Sequence, residues 1–167
     1  MESSAPNQTT TTSRQLLRHA VATVAYRGGK ALRGAPESFA HFKAGEKSRT
    51  PEQILAHMGD LYDWALSCAR GKQQWHESKP LPWPQELQRF FNALKAFDDY
   101  LASDSPLGYA EEKIFQGGIA DSLTHIGQIA MLRRLAGCPI RGENYFRAQI
   151  AAGRVGDDQA APAQEFD

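Results

Sequence analysis

From Leu16 onward, apolar residues recur every three to four positions in four separate stretches, and no run alternates β-branched with polar residues over the length of a strand. The pattern predicts an all-α fold of four helices. The first starts near Ser13, a good N-cap, and carries Leu16, Leu17, Ala20, Val21 and Val24 before Gly28 and Gly29 weaken it. A loop of about fifteen residues follows through Pro36 and Gly45, with Phe39 and Phe42 folded onto the helices. The second helix has the clearest start: Thr50 as N-cap, Pro51 at the first helical position, and Gln53 completing a capping box. It is expected to reach Arg70 before Gly71, with Ile54, Met58, Leu61, Ala65 and Cys68 on its apolar stripe and His57 and Trp64 along the edge.

Three prolines between Trp75 and Pro84 rule out a continuous helix there and make the segment a stiff crossover. The third helix is read from Pro84, with Leu87, Phe90, Phe91, Leu94, Phe97 and Leu101 inward and charged residues opposite, closing between Ser103 and Gly108. The fourth is expected from Phe115 to Ala136, with Ile119, Leu123, Ile126, Ile129 and Ala130 inward, Arg133 and Arg134 near its negative end, and Gly137 and Pro139 stopping it. Four helices with two long connections predict a bundle with crossover links. Residues 1–12 and 156–167 are low in bulky apolar residues and read as a disordered N-terminal tail and a loose C-terminal tail around one domain spanning 13–155.

Composition narrows the function more than the fold. Nineteen basic and nineteen acidic residues cancel, which removes the positive footprint expected of a protein that grips nucleic acid or an anionic membrane. Cys68 and Cys138 stand far apart and in no CxxC spacing, so neither a zinc ribbon nor a thioredoxin-like motif is available. Cys68 reads as a small core residue and Cys138 as a helix-end thiol. With no secretory h-region and no long apolar run, the expectation is a cytoplasmic protein without membrane contact. Trp75 and Trp83 in the crossover, read as exposed, predict a homodimer.

One set of residues carries chemistry. Asp121 and His125 are four apart in the fourth helix, so they project from one face a turn apart, and Gln128 continues the row. A carboxylate and an imidazole at that spacing can reach one metal ion, and His57 on the second helix can supply a third ligand from across the fold. The same spacing also suits a simple side-chain hydrogen bond, and an inward histidine can be a satisfied core residue. An aspartate on an inward face, however, is costly unless paired or coordinated. Asp60, one turn after His57, reads as a solvated carboxylate, as a partner for an imidazole N–H or as a fourth ligand. His19, His41 and His76 have no partner at ligand spacing and read as surface or loop residues. Past Pro139, the polar residues Glu143, Asn144, Tyr145 and Arg147 form either a packed strap or a flap that brings Asn144 or Tyr145 over the site.

The run RTPEQILAHMGDLYDW in the second helix and ADSLTHIGQIAMLRRLAGCP in the fourth resemble the DinB-like, YfiT-like family of bacterial four-helix bundles, over most of residues 13–137. The resemblance lies in the AH that follows a T-P-x-x capping box and in the HxGQIxxLRR run before a Gly-x-Pro stop. It implies one divalent ion, nickel or zinc, bound by a histidine of the second helix and an H-x-x-x-H pair of the fourth. His57 and His125 match that pattern, whereas Asp121 stands where the family has the first histidine of the pair. The resulting two-histidine, one-carboxylate set also suits iron and leaves coordination positions open. The resemblance implies a metal-dependent hydrolase or thiol transferase acting on a small molecule such as a low-molecular-weight thiol. The candidate catalytic residues come from their positions: Gln128, able to hydrogen-bond a bound water, and Tyr145 and Asn144 of the segment past Pro139. The other reading is a non-catalytic metal- or ligand-binding helical protein.

Overall fold

The computed structural model describes residues 12–167, so the expected tail 1–12 lies outside the described residues except for Thr12. Helix α1 (Ser13–Leu32) begins one residue earlier in its capping than expected: Thr12 is the N-cap, and its side chain and that of Gln15 close a capping box. The helix runs through Gly28 and Gly29 instead of weakening there. A Cβ on Gly28 would stand 3.3 Å from the Phe90 ring and 3.5 Å from Ile126, so the glycine lets neighbouring helices approach. Leu16, expected inward, is exposed, while Leu17, Val21 and Val24 are buried.

A 3-10 turn at Glu37–His41 buries Phe39. Helix α2 (Pro51–Ala69) opens with the Thr50–Gln53 capping box and Pro51 at its first turn, and its whole apolar stripe from Ile54 to Cys68 is buried. The chain turns at Gly71, which adopts φ +76°. Helix α3 (Trp83–Ala102) follows the proline-rich crossover. Its charged residues are not all on the outer side: Glu86 and Asp98 are buried. Glu86 accepts hydrogen bonds from the Leu81 amide (2.8 Å) and Arg89 (2.6 Å), and Asp98 accepts a two-pronged pair from Arg18 at 3.0 and 2.9 Å.

The last long helix starts earlier than expected and is not uniform. A short α4 (Glu111–Ile114) passes through a π turn (Phe115–Ile119) into α5 (Ala120–Leu135). α2 packs against α3 and α5, and α1 packs against the same two helices, with the core of Tyr62, Phe90, Phe97, Met58 and Ile129 between them. The fold is thus all-α, with a single two-residue pairing of strands among the described residues: β1 (Gly142–Glu143) lies antiparallel to β2 (Glu165–Phe166).

That pairing corrects the reading of 156–167 as a loose tail. Glu165 reaches Lys30 of α1 at 2.6 Å, the Arg33 guanidinium donates to the Asp157 carbonyl, and Val155 just before the segment is buried. The segment is short of apolar residues, but it is tied to α1 by polar contacts that no helical period reveals. Trp83 is also corrected. It is 7% exposed, packed edge-on against Phe39 at 5.9 Å, and so offers no surface for a dimer. No helix among the described residues is long and apolar enough to cross a membrane.

Candidate metal centre

His57 comes from the middle of α2, and Asp121 and His125 from successive turns at the start of α5, just after the π turn. Helix packing brings the three together. Asp121 Oδ2 lies 3.5 Å from His125 Nε2 and 3.8 Å from His57 Nε2, and the two imidazole rings meet edge to face with centroids 4.8 Å apart. Tetrahedral ligands at about 2 Å from one ion are about 3.4 Å from each other. The donor atoms therefore have nearly the spacing that a single ion requires, all within 4.8 Å of one another.

Gln128 sits behind this set, not in it. Its Oε1 lies 2.8 Å from His125 Nδ1, and because an amide oxygen only accepts, His125 donates from Nδ1 and presents the lone pair of Nε2 to Asp121 and His57. The His57 imidazole is held below its ordinary pKa: burial, the His125 ring and Arg49 lower it more than Asp121 and Asp60 raise it. A neutral imidazole is the form that coordinates.

Asp121 is not the inward aspartate that its helical position suggested. Its side chain is 45% exposed, at the mouth of a cleft. The cost of an unpaired buried carboxylate is thus no argument for a ligand role, and the convergence of donor atoms replaces it. The cleft encloses about 560 Å³ and is walled by Trp64 and Trp75, with His57, Asp121, Gln116 and Thr124 supplying its polar atoms. The π turn shapes one side. A Cβ on Gly117 would come within 2.8 Å of the Trp64 ring, so glycine there lets the indole approach the helix one turn before Asp121.

The residues past Pro139 do not cover this cleft. Glu143 is buried against α1, accepting from Tyr26 Oη at 2.5 Å and Lys30 Nζ at 2.9 Å. Tyr145 meets Tyr26 edge-on at 6.4 Å and carries the Arg27 guanidinium 4.4 Å from its ring centroid, while Asn144 caps a 3-10 turn by accepting from the Phe146 amide. Tyr145 and Asn144 are therefore packing and capping groups, and neither lines the cleft.

A second polar cluster lies beyond the far edge of His57. Asp60 is 1% exposed and accepts from the Ser78 amide (2.8 Å), the Ser78 hydroxyl (2.7 Å) and Arg89 (2.9 Å). His76 Nε2 is 3.0 Å from the Asp60 carboxylate and 3.4 Å from that of Asp63. His76 thus has partners, and Asp60 is neither solvated nor bonded to His57. Both were hidden in the sequence because the contacts join α2 to a crossover that follows it at no helical spacing, Ser78 lying 18 residues beyond Asp60. Asp60, Asp63 and His76 could in principle hold a cation, but Arg89 already places a positive charge on both carboxylates. The cluster fastens the crossover to α2 instead.

Comparison with protein-family models, with curated proteins and with solved structures finds no match to this chain.

Proposed function

We propose that this chain is a metal-dependent enzyme of the DinB-like type, a four-helix bundle with long crossover connections whose open divalent-metal site activates water or a low-molecular-weight thiol. The single observation that carries the reading is the convergence of His57 Nε2, His125 Nε2 and Asp121 Oδ2 beside an open cleft that His57 and Asp121 line. The closed circuit of helix contacts, α1 on α3, α3 on α2, α2 on α5 and α5 on α1, supports the bundle. No fourth histidine, cysteine or carboxylate joins the set among the described residues. That count favours a catalytic site over a structural one, which is normally closed by four protein ligands.

Within the site each residue has a distinct task. His57 and His125 present imidazole lone pairs from two different helices. Gln128 holds His125 in the tautomer and orientation that point Nε2 inward. Asp121, at the mouth, supplies an oxygen donor that suits zinc, nickel or iron. Gln116 and Thr124 line the rim and offer hydrogen bonds to a polar substrate group. When bound, a divalent ion would supply Lewis acidity, lowering the pKa of a coordinated water toward neutrality or deprotonating a coordinated thiol.

Metal analysis of protein purified without nickel resin tests the reading, because imidazole ligands can collect nickel from a column. About one equivalent of zinc, nickel or iron, with an exchangeable water or thiol in its coordination sphere, is the expected result. Screening that holoprotein with bacillithiol, mycothiol and glutathione as co-substrates then separates thiol transfer from hydrolysis. Absence of metal, or four protein ligands around it, would overturn the enzyme reading.

A further inference from the structure

Two of the molecule's three tryptophans, Trp64 of α2 and Trp75 of the crossover, line the same opening. Trp75 is 50% exposed. It is not left there by a slack loop. The next residue, His76, contacts Asp60 and Asp63, and Ser78 gives Asp60 two hydrogen bonds, so the crossover is fastened to α2 immediately beside the indole. The Trp75 ring stands 5.5 Å from that of His57, inclined at 59°. Trp64 is seated against Gly117 of the π turn, where any side chain would displace it. The two indoles are thus set in place by separate devices, one polar and one steric.

Exposed apolar surface that the fold holds rigidly beside a reactive centre is characteristic of a recognition wall. Indole faces prefer flat π systems, through offset or edge-to-face contacts, over saturated groups of equal size. The cleft volume of about 560 Å³ is that of a small-molecule site. The only charged group lining it is Asp121, apart from the titratable His57.

We propose that the cleft selects substrates bearing a flat aromatic or heteroaromatic group, held against Trp75 and Trp64 with its reactive substituent directed to His57, Asp121 and His125. The assignment of a reactive end rests on the metal-dependent reading above, whereas recognition of the ring does not. Trp75 is the specificity residue, and Asp60 acts through Ser78 and His76 as the positioning residue that keeps it over the cleft.

The test titrates the full chain, metal-free and zinc-loaded, with naphthoate and with its fully saturated analogue decahydronaphthoate, which match in carbon skeleton, charge and metal-ligating group. Binding is read from the indole N–H resonances in proton–nitrogen correlation spectra. Naphthoate is expected to bind about tenfold more tightly than the saturated acid in both forms and to shift the Trp64 and Trp75 signals but not that of buried Trp83. Trp75→Leu, which keeps apolar bulk on an exposed position, should remove most of that preference, and Trp75→Phe should keep part of it. Ring preference in protein that takes up no zinc would uphold this inference while the metal reading fails. Zinc uptake with equal binding of the two acids would overturn the inference while the metal reading stands. Preference unchanged in Trp75→Leu, or shifts confined to Trp83, would overturn it as well.

Discussion

Burial, the His125 ring and Arg49 together lower the His57 pKa, and the consequence for metal binding has a definite sign. Protons and metal compete for the same lone pair, so affinity is full where the imidazoles are neutral and falls as pH drops through their pKa values. Because His57 titrates below its ordinary value, its lone pair should stay available to metal at a more acidic pH than that of an unperturbed imidazole. Calorimetric titration with zinc between neutral pH and the onset of acid unfolding would check this. His57→Ala, Asp121→Ala and His125→Ala should each weaken zinc by more than the roughly 10- to 100-fold that loss of an outer partner costs, and pairs of these changes should be non-additive. Gln128→Ala should fall inside that roughly 10- to 100-fold range, because it removes only the group that orients His125. Equal affinity in Asp121→Ala and the unmodified chain would show that the carboxylate is not a ligand. The Asp121–His125 pair was legible in the sequence because i,i+4 spacing fixes which side chains share a helix face, whereas His57 was singled out by its place beside an apolar stripe and by the family resemblance. That Asp121 would stand half exposed was not, since position on a face does not say where the neighbouring helix ends.

Elements announce their ends more reliably than their irregularities. Thr50, Pro51 and Gln53 act through bonds three residues apart, so the start of α2 could be read directly, and Gly71 and Gly137 mark turns whose positive φ excludes most side chains. The π turn at Phe115–Ile119 left no such sign. It depends on Gly117 and Gly118 meeting Trp64 and Ala65 of another helix, which is a tertiary fact. Arg133 is a similar case. Expected to complement its own helix dipole, it instead donates to the Ala31 and Arg33 carbonyls at the end of α1 (3.1 and 2.7 Å) and to the Cys138 carbonyl (2.8 Å). Arg133→Met should leave those acceptors unsatisfied and cost about 1–3 kcal/mol in chemical denaturation. The crossover clasp gives a pH-dependent counterpart. Burial pushes the Asp60 carboxyl up, but the Ser78 amide and hydroxyl and Arg89 outweigh it, so its pKa lies below the ordinary carboxylate value. A depressed folded-state pKa means stability that is present above the unfolded value, about 3.9, and is lost as pH falls through the folded one. Asp60→Asn should therefore reduce stability near neutrality and flatten its decline below about pH 4, measured by urea unfolding at a series of pH values.

Across the whole molecule, the chain after α5 is attached to α1 by charged contacts as well as by packing. Lys30 bridges two carboxylates that are far apart in sequence, Glu143 at 2.9 Å and Glu165 at 2.6 Å, and Glu165 also lies 3.4 Å from Arg141. The two partners differ in what they risk. Glu143 has no exposed side-chain surface and depends on Lys30 and Tyr26, whereas Glu165 is partly exposed and can be solvated if released. Lys30→Met should therefore be severe, costing about 3–5 kcal/mol, because it strands a buried carboxylate. Glu165→Gln should cost about 1 kcal/mol or less, as expected for an ion pair that water can replace. The Tyr26 hydroxyl is pushed above its ordinary pKa by burial and by Glu143, so it stays a donor throughout the working pH range and cannot substitute for the missing cation. Combining Lys30→Met with Glu143→Gln tests the explanation. If the cost arises from the uncompensated charge, the double variant recovers much of the stability lost in Lys30→Met. If it arises from lost packing of the lysine stem, the two losses add. Equilibrium urea unfolding of the four chains completes the cycle, with a coupling term of at least about 1 kcal/mol expected.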